Sequence, residues 1–258
     1  MPVFSVSFIL SVFLIFVRVA ALIGTAPYFS NGAFPMRVKA FLAIALSIAL
    51  FPTIPAQSVH LPYNTHVLQV LVLILKELLV GAAMGLTGQI IFGGIEMAGA
   101  LMSLNVGLSF VNVVDPVRKG QKPIIGQLFG LLAIFVFLGI GGDTYYIRAL
   151  AKSFSIVPVG SANIAASVPV FIKMATYLFI VGVQMAAPFI IVLFLLDVCL
   201  AIFARVMPQA NIFFIALPLK LGVGIILLLL ILPYTPAAFR HFFHQLWNYL
   251  SAILHALG

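Results

Sequence analysis

The sequence predicts an all-α fold, an integral membrane helical bundle of long, kinked and broken helices, and three observations carry that prediction. Hydrophobic residues make up 64% of the 258 positions and charged ones 7%. With a mean hydropathy of +1.27, this composition is beyond a water-soluble domain that must show a polar surface. The apolar residues come in runs of helical-span length, separated by breaks rich in Pro, Gly and cations. The cations lie singly or in small clusters between those runs. Despite a formal net charge of +8, they therefore set topology and meet membrane lipid rather than nucleic acid. The length accommodates about six spans of roughly 20 residues each, with little left for a soluble domain.

The first run, Met1 to Val17, carries no charge and continues past Arg18 to Phe29. A signal peptide places positive charge before its apolar core; here charge follows, so a retained span is expected. Arg18 in mid-span is costly against lipid. It is expected to face protein or a polar cavity, to pair with an acid, or to snorkel to an interface. After the break Ala26 to Gly32 and the basic flank Pro35 to Lys39, a second apolar run reaches Phe51 and is closed by Pro52 and Pro55. The next break, Ala56 to His66, has no Lys or Arg, whereas the preceding one has Arg37 and Lys39, so the two are expected on opposite sides of the membrane. His60 and His66 are too isolated for a metal site and read as loop residues.

From Val67 to Phe110 only Lys76, Glu77 and Glu96 interrupt the apolar sequence. That length exceeds one perpendicular span, so the helix must tilt, break or leave the bilayer. Gly81, Gly85, Gly88, Gly93, Gly94 and Gly99 give small-residue faces on which another backbone can approach closely. Lys76 is expected to neutralise Glu77 in part. Glu77 and Glu96 lie 19 residues apart, too far for a proton relay, and each is expected to be paired.

The main polar interruption is Leu104 to Ile125. It holds three of the thirteen Lys and Arg residues (Arg118, Lys119, Lys122) and one of the five acids, Asp115. Asp115-Pro116 is turn chemistry, and the approach Gly107-Leu108-Ser109-Phe110-Val111 is apolar and uncharged. Two readings follow from the residues: a solvated loop between spans, or irregular backbone entering a protein-lined cavity. Beyond it, Gly126 and Gly130 repeat the small-residue spacing, Gly139 to Gly142 stop a helix, and Asp143 is placed to cap the next. Arg148 and Lys152 mark a wet face.

Pro158 to Ser167 reads as a connector, and the internal boundary falls near its end, dividing 1–166 from 167–258. A helical pair follows, Pro169 to about Val206 and Asn211 to Leu232, hinged at Pro208, with Pro218 expected to kink its second member. Asp197 and Arg205 lie too far apart on the first helix for a direct bond, and both are expected to face neighbouring subunits. Cys199 is expected to be a buried small hydrophobe. In the tail, Phe239, Phe242, Phe243, Leu246, Trp247, Leu250 and Leu254 recur at helical spacing, the pattern of an amphipathic interfacial helix with an aromatic anchor. No nucleophile elbow, HExxH, phosphate loop or cysteine pair is present, and five scattered acids supply no dyad. An enzyme is not expected.

Four features in register then resemble the FliR family. They are Arg18-Val19 with Ala26-Pro27; Pro35-x-Arg37-Val38-Lys39; the GLSFxxxxDP stretch from Gly107 to Pro116; and the Arg205-x-x-Pro208-Gln209-x-Asn211 hinge with Pro218. FliR is the flagellar export-gate component related to the virulence SctT proteins, and the GLSF element looks flagellar. The resemblance implies an inner-membrane basal-body subunit that joins FliP-like and FliQ-like subunits, with an FlhB-like subunit at the entrance. It implies passage of unfolded flagellar export substrates, driven by the proton gradient, and no cofactor. By the same resemblance, residues 1–166 look FliP-like and 167–258 look like a FliQ-like hairpin. The segment Gly107, Leu108, Ser109, Phe110, Val111, Asp115 and Pro116 looks like a pore plug. Arg18, Glu77, Glu96, Asp197 and Arg205 are expected to serve subunit packing. The rival readings are a virulence export-gate subunit, a secondary transporter built on the intramembrane charges, and an adaptor whose loop is inert.

Overall fold

The computed structural model describes residues 6–30, 35–54, 67–108, 123–209 and 211–258. Among them every regular element is helical: α1 (Val6–Thr25), the single turn α2 (Pro27–Ser30), α3 (Met36–Leu50), α4 (Val67–Val106), α5 (Ile124–Gly139), α6 (Gly142–Ile156), α7 (Ile164–Val206), α8 (Ile212–Ile231) and α9 (Thr235–Leu257). Short 3-10 turns at Phe51–Thr53 and Leu232–Tyr234 each carry at their second position a proline, Pro52 and Pro233, that lacks the N–H an α-helix would use.

Four described stretches are long and apolar enough to cross a membrane, or five if the bent pair α5 and α6 is one broken span. About six were expected. The difference lies in length: α4, α7 and the stretch Phe214–Leu257 run 40, 43 and 44 residues, each the sequence of two ordinary spans, while α3, at 15 residues, is short of one. Gly141, at φ +74°, caps α6 in the left-handed conformation that a side chain would strain. Asp143, expected to be that cap, instead lies inside the first turn of α6, where its charge suits the helix N-terminus.

Two compact units share the chain by interleaving. The first comprises Met1–Ile90, Gly141–Ala175 and His244–Gly258; the second, Ile91–Ile140 and Thr176–Phe243. The boundary read at 166 falls just inside α7; it separates stretches of sequence, whereas these units gather residues by contact. In the first unit, Leu14, Val19 and Ile23 of α1, Val80 and Met84 of α4, Leu150 and Phe154 of α6, and Leu246, Leu250 and Ile253 of α9 are buried. The end of α9 is fixed there by the Asn163 N–H, which donates to the Leu257 carbonyl at 2.8 Å. In the second unit the rings of Phe92, Phe137 and Phe243 pack with centroids 5.2 to 5.6 Å apart.

The tail helix packs on the rest of the chain. It is amphipathic, as expected, and its apolar face is spent inside the chain: Phe239, Phe243, Leu246 and Leu250 are buried, and Trp247 stacks on Tyr145 at 4.8 Å. Arg148 and Lys152 are exposed, as expected of a wet face.

Candidate functional site

The most elaborate polar site is built around Arg18, fully buried in the first unit. Its Nε donates to Glu77 Oε2 at 2.6 Å and its Nη2 to Glu77 Oε1 at 3.1 Å, a bidentate pair. Nη1 donates to Ser153 Oγ at 3.2 Å, and both Nη1 and Nη2 donate to the Val157 carbonyl, at 3.1 and 3.0 Å. All five guanidinium donors are thereby occupied. The cation also lies over the Phe154 ring, 4.3 Å from its centroid. Glu77 accepts in addition the Gly160 N–H at 2.8 Å. Gly160 takes φ +83° to present it, and Lys76 Nζ reaches the carbonyl of the same residue at 3.0 Å.

Sequence spacing dictates why α1 comes close enough to α4 for this. A Cβ at Gly81 would collide with the Arg18 carbonyl, one at Gly85 with Thr25, and one at Gly88 with Pro27 and the Tyr146 hydroxyl. The glycine face thus admits another backbone, as expected, and the backbone it admits belongs to the same chain. Lys76 and Glu77 meet on Gly160, one at its carbonyl and the other at its N–H. Adjacent residues point about 100° apart around a helix and do not face one another, so Glu77 turns inward to Arg18 while Lys76 caps the connector. Val157, at the end of α6, and Gly160, in the stretch Pro158 to Ser167 read as a connector, supply half of this network. Arg18, Lys76 and Glu77 were singled out by sequence; Ser153, Val157 and Gly160 carry no signal that separates them from their neighbours.

In the second unit, Glu96 is half-buried with its carboxylate lying across Gly130. A Cβ at Gly99 would meet the backbone of Gly126. The expected plug begins at Gly107, whose φ of +90° ends α4. The Gly107 N–H donates to the Leu104 carbonyl at 3.1 Å and the Leu108 N–H to that of Ser103 at 3.0 Å, a Schellman closure. Gly107 and Leu108 are therefore helix cap. Ser109, Phe110, Val111, Asp115 and Pro116 lie outside the described residues, as do His60 and His66. The two stems are pinned together, because the Ile125 N–H donates to Ser103 Oγ at 3.4 Å.

Asp197, on α7, pairs with Lys220 of α8 at 2.5 Å, with side chains 49% and 24% exposed. The chain supplies this counterion itself, and sequence reasoning missed it. The available signal was symmetry: Asp197 lies eleven residues before Pro208 and Lys220 eleven after Gln209, so an antiparallel hairpin folded at that turn sets them opposite. Arg205 is exposed in the last turn of α7, where a cation suits the helix C-terminus. Cys199, expected to be buried, is exposed, because it shares the outward face of α7 with Leu195, Val198 and Ile202. No group of three metal-ligating side chains occurs among the described residues.

A helical membrane protein with its charges paired inside and large apolar faces turned outward is the class these features define. The family model described as bacterial export proteins, family 1, matches residues 9–246. The flagellar biosynthetic protein FliR of Escherichia coli K12 is 33% identical over 241 residues, covering 93% of this chain and 91% of that protein. FliR of Aquifex aeolicus is 35% identical over 230 residues, with 89% and 88% covered. FliR of Bacillus subtilis is 32% identical over 220 residues, with 84% and 83% covered. The chain belongs to the FliR family of bacterial export proteins, components of flagellar biogenesis and protein export.

Proposed function

We propose that this chain is a core subunit of the flagellar type III export gate, forming with FliP-like and FliQ-like subunits the inner-membrane channel for unfolded flagellar subunits. In this reading the assembly lies in the basal body with an FlhB-like subunit at its entrance. The observation that carries it is the outer surface of α7. Exposed apolar residues run along it from Ile164 through Ile172, Phe179, Ile191 and Ile202 to Val206, and 43 residues have a contour of about 65 Å. A hydrocarbon core of about 30 Å, crossed at a tilt of 40°, covers only about 26 residues. Lipid alone leaves the remainder facing water, so protein neighbours must cover it. The hairpin of α7 and α8 is then the FliQ-like part, residues 1–166 the FliP-like part, and Arg205 and the outward faces of α7 and α8 the subunit contacts.

The segment Gly107, Leu108, Ser109, Phe110, Val111, Asp115 and Pro116 acts in this proposal as the pore plug. The support is mechanical: the helices that flank this segment are tied to each other by the Ile125 N–H on Ser103 Oγ and by the close approach of Gly99 and Gly126. Co-expression with FliP-like and FliQ-like subunits, followed by purification and subunit counting by native mass spectrometry, tests the assembly. One large complex of fixed ratio is expected. A well-behaved monomer that ignores those subunits overturns the proposal.

A further inference from the structure

The first unit has an apolar groove between α1 and α3, about 380 Å³ in volume, lined by Phe8, Phe13, Phe16, Ile44, Ser47 and Ile48. It lies on the opposite side of α1 from the Arg18 network, and the channel reading does not use it. The groove is within the size range of small-molecule sites. Its one hydroxyl is already committed, since Ser47 Oγ donates to the Ala43 carbonyl at 2.6 Å. The Phe8 and Phe51 rings meet edge to face at 5.2 Å and stop one end. At the other end α3 carries exposed Arg37. Arg37 precedes Ile44 by seven residues, so it stands on the same face of α3 to within about 20° and about 10 Å along the axis.

We infer that this groove holds one acyl chain of an anionic phospholipid whose phosphate is held by Arg37. A partner helix is the other conceivable occupant, and the lining disfavours it. A helix backbone enters a narrow slot only over small residues that let it approach closely, whereas this slot between two helices is walled by three phenylalanines, three isoleucines and a valine. Such a wall admits a thin, flexible chain. Nothing polar is offered except at the Arg37 end, where a cation attracts an anionic headgroup and not a zwitterionic one.

The test uses the complex with its native partners in nanodiscs containing phosphatidylglycerol or phosphatidylcholine that carry the same photoreactive acyl chain, with adducts mapped by mass spectrometry. Adducts on Phe13, Phe16, Ile44 or Ile48 are expected, about fivefold more from the glycerol headgroup than from choline. Arg37→Gln should remove that preference while complex recovery is unchanged, and Ile48→Trp, which fills the slot, should remove labelling from both lipids. Equal labelling by both headgroups would mean annular lipid without selection and would overturn the proposal. So would a groove that stays unlabelled, or one that cross-links to a partner subunit.

Discussion

Arg18 and Glu77, 59 positions apart in sequence, form a bidentate ion pair with no solvent exposure, and the Gly160 N–H ties the connector after α6 to the same carboxylate. A buried pair of this kind is weak evidence for net stability, but breaking it is costly, because the surviving charge has neither water nor partner.

The first prediction follows from that asymmetry. Arg18→Leu or Glu77→Leu alone should cost about 3–5 kcal/mol, read as loss of recovered complex and a lower unfolding temperature in detergent. The double substitution should recover a large part of that loss, since it leaves no orphaned charge. Singles that unfold at the wild-type temperature would show that the network is dispensable.

Glycine packing gives a matched pair of substitutions on facing helices. Gly81→Ala puts a methyl into the Arg18 carbonyl and should be strongly destabilising, whereas Gly24→Ala on α1 meets nothing within 4 Å and should be neutral or stabilising by up to about 1 kcal/mol. Thermal unfolding of the two variants side by side decides this. Equal losses would contradict the packing of α1 on α4.

The Asp197–Lys220 pair predicts compensation across the hairpin. Asp197→Lys should lower complex yield and motility, because two cations then oppose each other on α7 and α8. Adding Lys220→Asp should restore both. If the exchanged pair is no better than the single substitution, the salt bridge does not hold the hairpin.

For the proposed plug, deleting Val111 to Val114 should raise membrane conductance and small-solute uptake in cells that also express the partner subunits. Recovery of the complex should be unaffected, since the neck at Ser103 and Ile125 and the glycine faces are untouched. An intact complex that stays tight would end the plug reading and leave family membership standing.

Sequence by itself determined what local chemistry and composition control. Hydropathy fixes the membrane class, the glycine spacing on α4 fixes where a backbone comes close, and Pro208 fixes the turn between α7 and α8, because each acts through its own residue or its immediate neighbours. Mid-span charge also told that Arg18 and Glu77 need partners. Which partners they take was decided by the tertiary structure: Glu77 passes over adjacent Lys76 for Arg18, and Asp197 passes over Arg205 on its own helix for Lys220 across the turn. Helical periodicity gives the direction of a side chain and not what stands there. For the same reason the aromatic face of α9 looked made for a membrane surface, and Cys199 for a core. An apolar face has the same pattern whether lipid or protein covers it, and only the fold, by laying Phe239 and Phe243 inward and Cys199 outward, distinguishes the two.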